Sequence, residues 1–335
     1  MIDPTRRLLL AVTAVAGFGL ATLLPTAPAW AQKENWPKSF TVGTASQGGT
    51  YFQYGSGWAD MVAKEFGLTG SAEVTGGPAQ NTALVHTGEL PFGMVTLGPA
   101  KDALDGNSPI MPGMPMDKVR AIFPMYETPF TLVTLRSSGV DDAAKLKAGA
   151  RVGVGPAGAT ADAYFPAMLE ALGVKVRRVN AGWSDLTGQM KDGLVDAIGF
   201  AAGVPIPAVS ELESSDQINI ISFTPEQLTT LTSKFPVSPF TIPAATYRTT
   251  KEAGQDVQAV SMWNFFVANA DLPEDFVYAV VKATMENNPR MVAIHKSAEA
   301  SIPANFVHNR TLKWHPGAVR WFEENGFKIP DELKG

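Results

Sequence analysis

From residue 39 onward the chain alternates short apolar runs with stretches whose apolar residues recur at helical spacing, and the order of these segments repeats. In the first copy, Ser39-Phe-Thr-Val-Gly-Thr44 reads as a strand and Ala45 to Thr50 as a glycine-rich turn. Tyr51 to Phe66 has the apolar spacing of a helix. A strand over 71–75, the turn Gly76-Gly77-Pro78, a helix over 79–86 and a strand over 92–96 follow. The second copy runs through a strand over 151–155, the turn Pro156-Ala-Gly158 and a helix over 159–172. It continues with a strand over 174–179, the turn Asn180-Ala-Gly182, a helix over 184–191 and a strand over 197–200. Thr87-Gly88-Glu-Leu-Pro-Phe92 in one copy stands where Asp192-Gly193-Leu-Val-Asp-Ala197 stands in the other. Two copies are too few for a solenoid and predict a pair of domains.

Strands and helices alternating at these lengths predict an α/β protein with two doubly wound, largely parallel sheets. Between the copies lies the long apolar run Phe130 to Leu135, placed to cross from one domain to the other. After the second copy, Val260 to Val267 is placed to cross back. Helices over 273–287 and about 290–300 then complete the first domain. The expected organisation is a discontinuous domain I, residues 32–133 and 260–335, and a continuous domain II, residues 134–259, joined by a two-strand hinge.

The first 31 residues change this picture only at its start. Arg6 and Arg7 precede an uncharged apolar run from Leu8 to Leu24, and Ala29 and Ala31 form a small-residue cleavage pattern. These are the marks of a secretory signal peptide cut before Gln32, and they place the mature chain in the periplasm. Export by Sec or Tat is not distinguished by Thr5-Arg6-Arg7. No later apolar stretch is long enough to span a bilayer. Cysteine is absent, which excludes disulfides and thiolate chemistry. The formal net charge is −5, and loss of Asp3, Arg6 and Arg7 makes it −6, so no basic surface for nucleic acid is implied. Neither a metal nor a cofactor is expected, and the mature chain is read as a monomer.

The duplicated glycine turns suggest chemistry. Ligands of open parallel sheets settle beyond the carboxyl ends of the strands, where turns enter helices. Such turns expose unpaired backbone N–H groups at the positive end of a helix dipole, which attract an anion. Facing each other across a hinge, Ser46 to Tyr51 and Gly155 to Ala161 would clamp an anion from both sides. Hydroxyls of Ser46, Thr50 and Thr160 and the Asn81 amide would add directed contacts. Among nearby aromatics, Tyr51 is placed to cover a ligand with its ring and donate from its hydroxyl.

These residues resemble a known family. Val42-Gly-Thr-Ala-Ser-Gln-Gly-Gly-Thr-Tyr51 is similar to the G-T-G-S-x-G-G-T-Y opening of the TAXI family, the solute receptors of one branch of TRAP transporters. Seven further segments match in order. These are Thr75 to Asn81, Leu146 to Pro156, Gly193 to Ala197, Ala202 to Ala208, Phe235 through Tyr247, Leu272 to Tyr278 and His315 to Arg320. The resemblance implies a type II periplasmic binding fold that delivers a small organic anion, such as a dicarboxylate, 2-oxoacid or acidic amino acid, to a sodium-coupled membrane permease. It also implies a ligand shell at Ser46, Gly49, Thr50, Tyr51, Asn81, Gly158, Thr160 and Ala161, with Phe200 and Gly203 added. Ala159 and Pro78 stand where the family usually has serine, which removes two donors.

Other readings are weaker. Gly153-Val-Gly-Pro-Ala-Gly158 fits the G-x-G-x-x-G loop of an NADP-dependent oxidoreductase, but Arg177 and Arg178 replace the acidic residue expected after the next strand. No hydrolase elbow, zinc motif or close histidine pair is present among His86, His295, His308 and His315. A ligand-sensing subunit of a signalling system would share the fold.

Overall fold

The computed structural model describes residues 35–335; the expected signal peptide and its cleavage point lie outside the described residues. The two sequence copies fold as the same unit. The first comprises β1 (Ser39–Gly43), α1 (Thr50–Phe66), β2 (Thr69–Glu73), α2 (Pro78–Thr87) and β3 (Phe92–Thr96). It is followed by α3 (Leu97–Leu104) and a long strand, β4 (Val119–Leu135). The second copy comprises β5 (Arg151–Gly153), α4 (Thr160–Ala171), β6 (Arg177–Val179), α5 (Trp183–Lys191) and β7 (Ala197–Ala201). In each copy the first strand lies between the other two and pairs with both in parallel. A right-handed helical crossover between parallel neighbours produces this 2-1-3 order.

Sequence patterning leaves residues 202–256 largely unassigned. They form α6 (Pro207–Ser215), β8 (Ile218–Ile221), α7 (Pro225–Lys234), β9 (Ser238–Ile242) and α8 (Arg248–Ala253). The chain returns through β10 (Val257–Asn269) and ends with α9 (Glu274–Met285), α10 (Asn288–Ile294) and α11 (Pro316–Glu324). The full strand order is β2-β1-β3-β10-β4-β7-β5-β6, with β8 on β4 and β9 on β10.

The two long strands hold the halves together. Residues 119–129 of β4 pair antiparallel with β10, and residues 130–135 pair with β7 and β8. β10 begins against β9 and ends between β3 and β4. Nearly every residue of both strands is buried, as expected where both faces of a sheet are covered. The ladder is broken once in a useful place. Trp263 pairs with Glu127 and Phe265 with Pro124, so Asn264 opposes two residues of β4. Pro124 has no N–H to continue the ladder, and a bulge re-aims side chains at such a point.

Boundaries differ from expectation where a side chain overrides periodicity. The helix expected over about 290–300 ends at Ile294. His295 is extended, and its ring accepts from the Ser297 N–H to start a separate 3-10 turn. β4 is seventeen residues long rather than the six expected, because its two prolines disguise the first half as a loop.

At the start of α11, His315 is 1% exposed. Its Nδ1 accepts from Gly317 N–H at 3.2 Å and its Nε2 donates to the Leu272 carbonyl at 3.2 Å. Burial, and secondarily the charge of Arg120, push its pKa down to about 4. The neutral ring is therefore native, while the unfolded chain takes up a proton near pH 6.5. Stability from this residue is complete above pH 6.5 and is lost as pH falls toward 4. We expect the melting temperature to drop between pH 7 and pH 5. His315→Asn, which keeps a capping acceptor but cannot titrate, should flatten that slope; an unchanged slope would remove His315 as its source.

Candidate ligand-binding cleft

Five helices begin at one place. The N-caps of α1, α2, α3, α4 and α5 are Gly49, Gly77, Thr96, Ala159 and Gly182, and none makes a side-chain capping hydrogen bond. Elsewhere the starts of α6, α9 and α10 also lack an N-cap side-chain bond, while three others are closed by side chains. Thr224 and Gln227 form a reciprocal capping box on α7, His315 caps α11, and the Glu213 carboxylate accepts from the Arg248 and Thr249 N–H groups at the start of α8. These starts surround a small, partly open cavity of about 30 Å³. Gly49, Thr50 and Tyr51 line it from α1, Gly77 and Pro78 from α2, and Thr96 from the end of β3. Ala159, Thr160 and Trp183 close it from the second copy. First-turn N–H groups and aligned peptide dipoles thus converge there from both copies.

Hydrogen bonds cross the cleft around this cavity. Ala79 N–H donates to the Gly158 carbonyl at 3.4 Å, and Ala208 N–H to the Gly48 carbonyl at 3.0 Å. The Thr50 hydroxyl donates to the Gly203 carbonyl at 2.5 Å, and the Thr160 hydroxyl to Thr96 Oγ1 at 2.8 Å. Beneath the floor, Asn264 Oδ1 accepts from Tyr51 at 2.7 Å and from Thr96 at 2.8 Å. The other end of its amide donates to the Tyr126 carbonyl and to Thr128 Oγ1 on β4. The bulge opposite Asn264 lets one buried amide join both long strands to hydroxyls of the cavity.

Of the residues expected from sequence, Gly49, Thr50, Tyr51 and Thr160 line the cavity. The Tyr51 hydroxyl is already used inside the protein, and burial raises its pKa far above the usual phenol value. The remaining six stand behind the wall. Ser46 Oγ accepts from Trp183 N–H at 3.4 Å. Asn81 is fully buried and binds only protein: its Nδ2 donates to the Thr44 and Met94 carbonyls, and its Oδ1 accepts from Thr75. Gly158 donates its N–H to Asp162 Oδ2 at 3.0 Å, so that donor is spent. Ala161 is buried in the second core, and Phe200 packs under Trp183 with ring centroids 4.8 Å apart. Gly203 offers its carbonyl to Thr50 rather than a surface to a ligand.

Sequence reasoning missed Thr96 and Asn264 and set Trp183 aside as core. Thr96 ends β3, so the rule about carboxyl ends of strands points to it, but only the first turn of each copy was followed. Trp183 is 4% exposed. Its Nε1 has no hydrogen-bond partner among the described residues, and a side chain built at Gly49 would lie 3.0 Å from it. Gly155, at φ +79°, passes under the same ring, where any Cβ would lie 2.6 Å from it. Trp183 thus fills the space that a dinucleotide's pyrophosphate would need above the Gly153–Gly158 loop.

No lysine, arginine or histidine lines the cavity. The nearest carboxylate on the α4 side is Asp162, held by Gly158 N–H and by Asn180 Nδ2 at 2.8 Å, with Arg178 at 3.6 Å. Any negative charge in the cavity would therefore be met by peptide groups and neutral side-chain donors such as the Trp183 indole N–H.

A profile of the NMT1-like family matches residues 42–326. The chain belongs to the NMT1-like family. Among solved structures, the NMT1-like chain is similar to the periplasmic binding protein BugD, with a TM-score of 0.58 and 16% identity over 88% of this chain and 99% of that one. It is also similar to a periplasmic transporter, with a TM-score of 0.55 and 13% identity over 87% and 98%. A third is R. palustris Rpa4515 with adipate, with a TM-score of 0.51 and 15% identity over 82% and 98%. At these identities the likeness is one of fold: this NMT1-like chain has the α/β fold of periplasmic binding proteins.

Asn81→Ala would remove three buried hydrogen bonds, at a cost of about 3 kcal/mol. We expect its melting temperature to fall by roughly 6–10 °C, with ligand affinity of the folded protein unchanged. Calorimetry on the two proteins separates this structural role from ligand contact.

Proposed function

We propose that this NMT1-like chain is an extracytoplasmic receptor that closes on a small organic anion and hands it to a membrane permease. The observation that carries the reading is the convergence of five uncapped helix starts, from both sequence copies, on one small cavity. Some N–H groups at these starts already have acceptors, Ala79 at the Gly158 carbonyl and Trp183 at Ser46 Oγ; a carboxylate would accept from the others while the dipoles balance its charge. Adipate, a carboxylate, is bound by Rpa4515, a protein of the same fold.

In this reading β4 and β10 form a hinge between lobe I, residues 32–133 and 260–335, and lobe II, residues 134–259, and the described conformation is the closed one. Bonds such as Ala79 to Gly158 and Thr160 to Thr96 form when the lobes meet. The motifs running from Val42 to Arg320 favour a permease of the TRAP class, fed in the periplasm. No described helix is long and apolar enough to cross a membrane, so transport itself falls to the partner.

The reading is tested by titrating organic acids into the purified chain and following the melting temperature, which a ligand of the folded state must raise. With an acid that binds, Trp183→Phe keeps the ring and loses one donor to a charged guest. We expect about a 10-fold to 100-fold loss of affinity by calorimetry, equivalent to about 1.5–3 kcal/mol. An unchanged affinity would place the ligand elsewhere.

A further inference from the structure

We infer that the ligand is a monocarboxylate about the size of acetate; the inference rests on the receptor reading above and narrows it. The space in the cleft is about 30 Å³, where a water molecule needs roughly 10–15 Å³. The backbone bonds from Ala79 to Gly158 and from Ala208 to Gly48 fix the separation of the walls, and a longer guest would break them.

The lining mixes polar and apolar groups. It includes the first turn of α1, Gly49 to Tyr51, the hydroxyls of Thr96 and Thr160, and Trp183, which is 4% exposed and whose indole N–H has no hydrogen-bond partner among the described residues. Pro78, Ala159, Ala201 and Ala202 contribute methyl and methylene groups, an apolar part of the wall. A charged head with a short apolar tail fits both; an inorganic anion would leave the apolar wall unmatched. A second carboxylate finds no cation in the lining. On the α4 side the Gly158 N–H is already taken by the Asp162 carboxylate, so it offers no donor there.

Calorimetric titration of the purified chain with formate, acetate, propionate, glutarate, adipate and nitrate tests this. We expect acetate to bind at least 10-fold tighter than glutarate, adipate or nitrate. Ala202→Val, which adds bulk to the apolar wall, should weaken acetate at least 10-fold more than formate. Tighter binding of glutarate or adipate would overturn the size limit and leave the receptor reading standing. Nitrate equal to acetate, or acetate indifferent to Ala202→Val in a variant that melts normally, would overturn the match to the apolar wall. If none of the acids binds, the receptor reading itself fails, and this inference with it. If the variant does not fold, the acid series on the unaltered chain still decides.

Discussion

A backbone N–H buried without an acceptor costs about 1–3 kcal/mol, and this chain leaves five helix starts uncapped around one small space. Uncapped starts also occur at α6, α9 and α10, but five meet at the cleft. α7 and α11 have side-chain caps, and the start of α8 borrows the Glu213 carboxylate from α6. Glycine or alanine at the caps of α1, α2, α4 and α5 removes the side chains that would fill the vacancy. In the closed conformation part of the cost is met by bonds between the two walls. In the proposed reading a guest that accepts the remaining donors would stabilise closure and so couple binding to movement of the lobes.

The same economy of means appears at the hinge. Duplication of a 2-1-3 unit gives two walls of similar geometry, but it does not tell one wall where the other is. Asn264 does. Its Oδ1 holds Tyr51 and Thr96 at the floor, Thr96 receives Thr160 from the second copy, and its Nδ2 holds β4 at Tyr126 and Thr128. Opening the cleft must separate Thr160 from Thr96 while leaving the amide seated between the long strands. In the proposed reading the floor stays with lobe I, and of the bonds to Asn264's partners only the Thr160–Thr96 hydroxyl pair breaks, along with the other bonds that cross the cleft.

The repeat was legible because helix and strand periods survive in short segments bounded by glycine turns. Val42 and Phe92 mark strands, and Gly88 and Gly193 close corresponding helices or turns in the two copies. The first half of β4 was not legible, since Pro124 and Pro129 look like breakers until β4 is seen to bulge against β10 beside one of them. At the site, glycine-turn chemistry located Gly49, Thr50, Tyr51 and Thr160 on the cavity. It misassigned Asn81, because a carboxamide beside a glycine turn has the same sequence appearance whether it faces a ligand or ties Thr44 to Met94. Trp183 was passed over for the converse reason: an indole is core by default, and only its unpaired Nε1 against Gly49 distinguishes it.

Charge sets the final limit on what such a cleft can hold. A cationic side chain would attract any anion and would bind strongly even when the fit was poor, whereas peptide dipoles act over little more than the first turn of a helix. With no cation in the lining, selectivity depends on how many N–H groups reach the guest at hydrogen-bond distance. Asp162 sharpens this further by removing the Gly158 donor from the set and placing a fixed negative charge at the start of α4. In the proposed reading a guest would put its charge against α1 and Trp183 and leave its uncharged end for Pro78 and Ala202. Shape and polarity then act together, so a receptor built from backbone groups can discriminate among anions of equal charge.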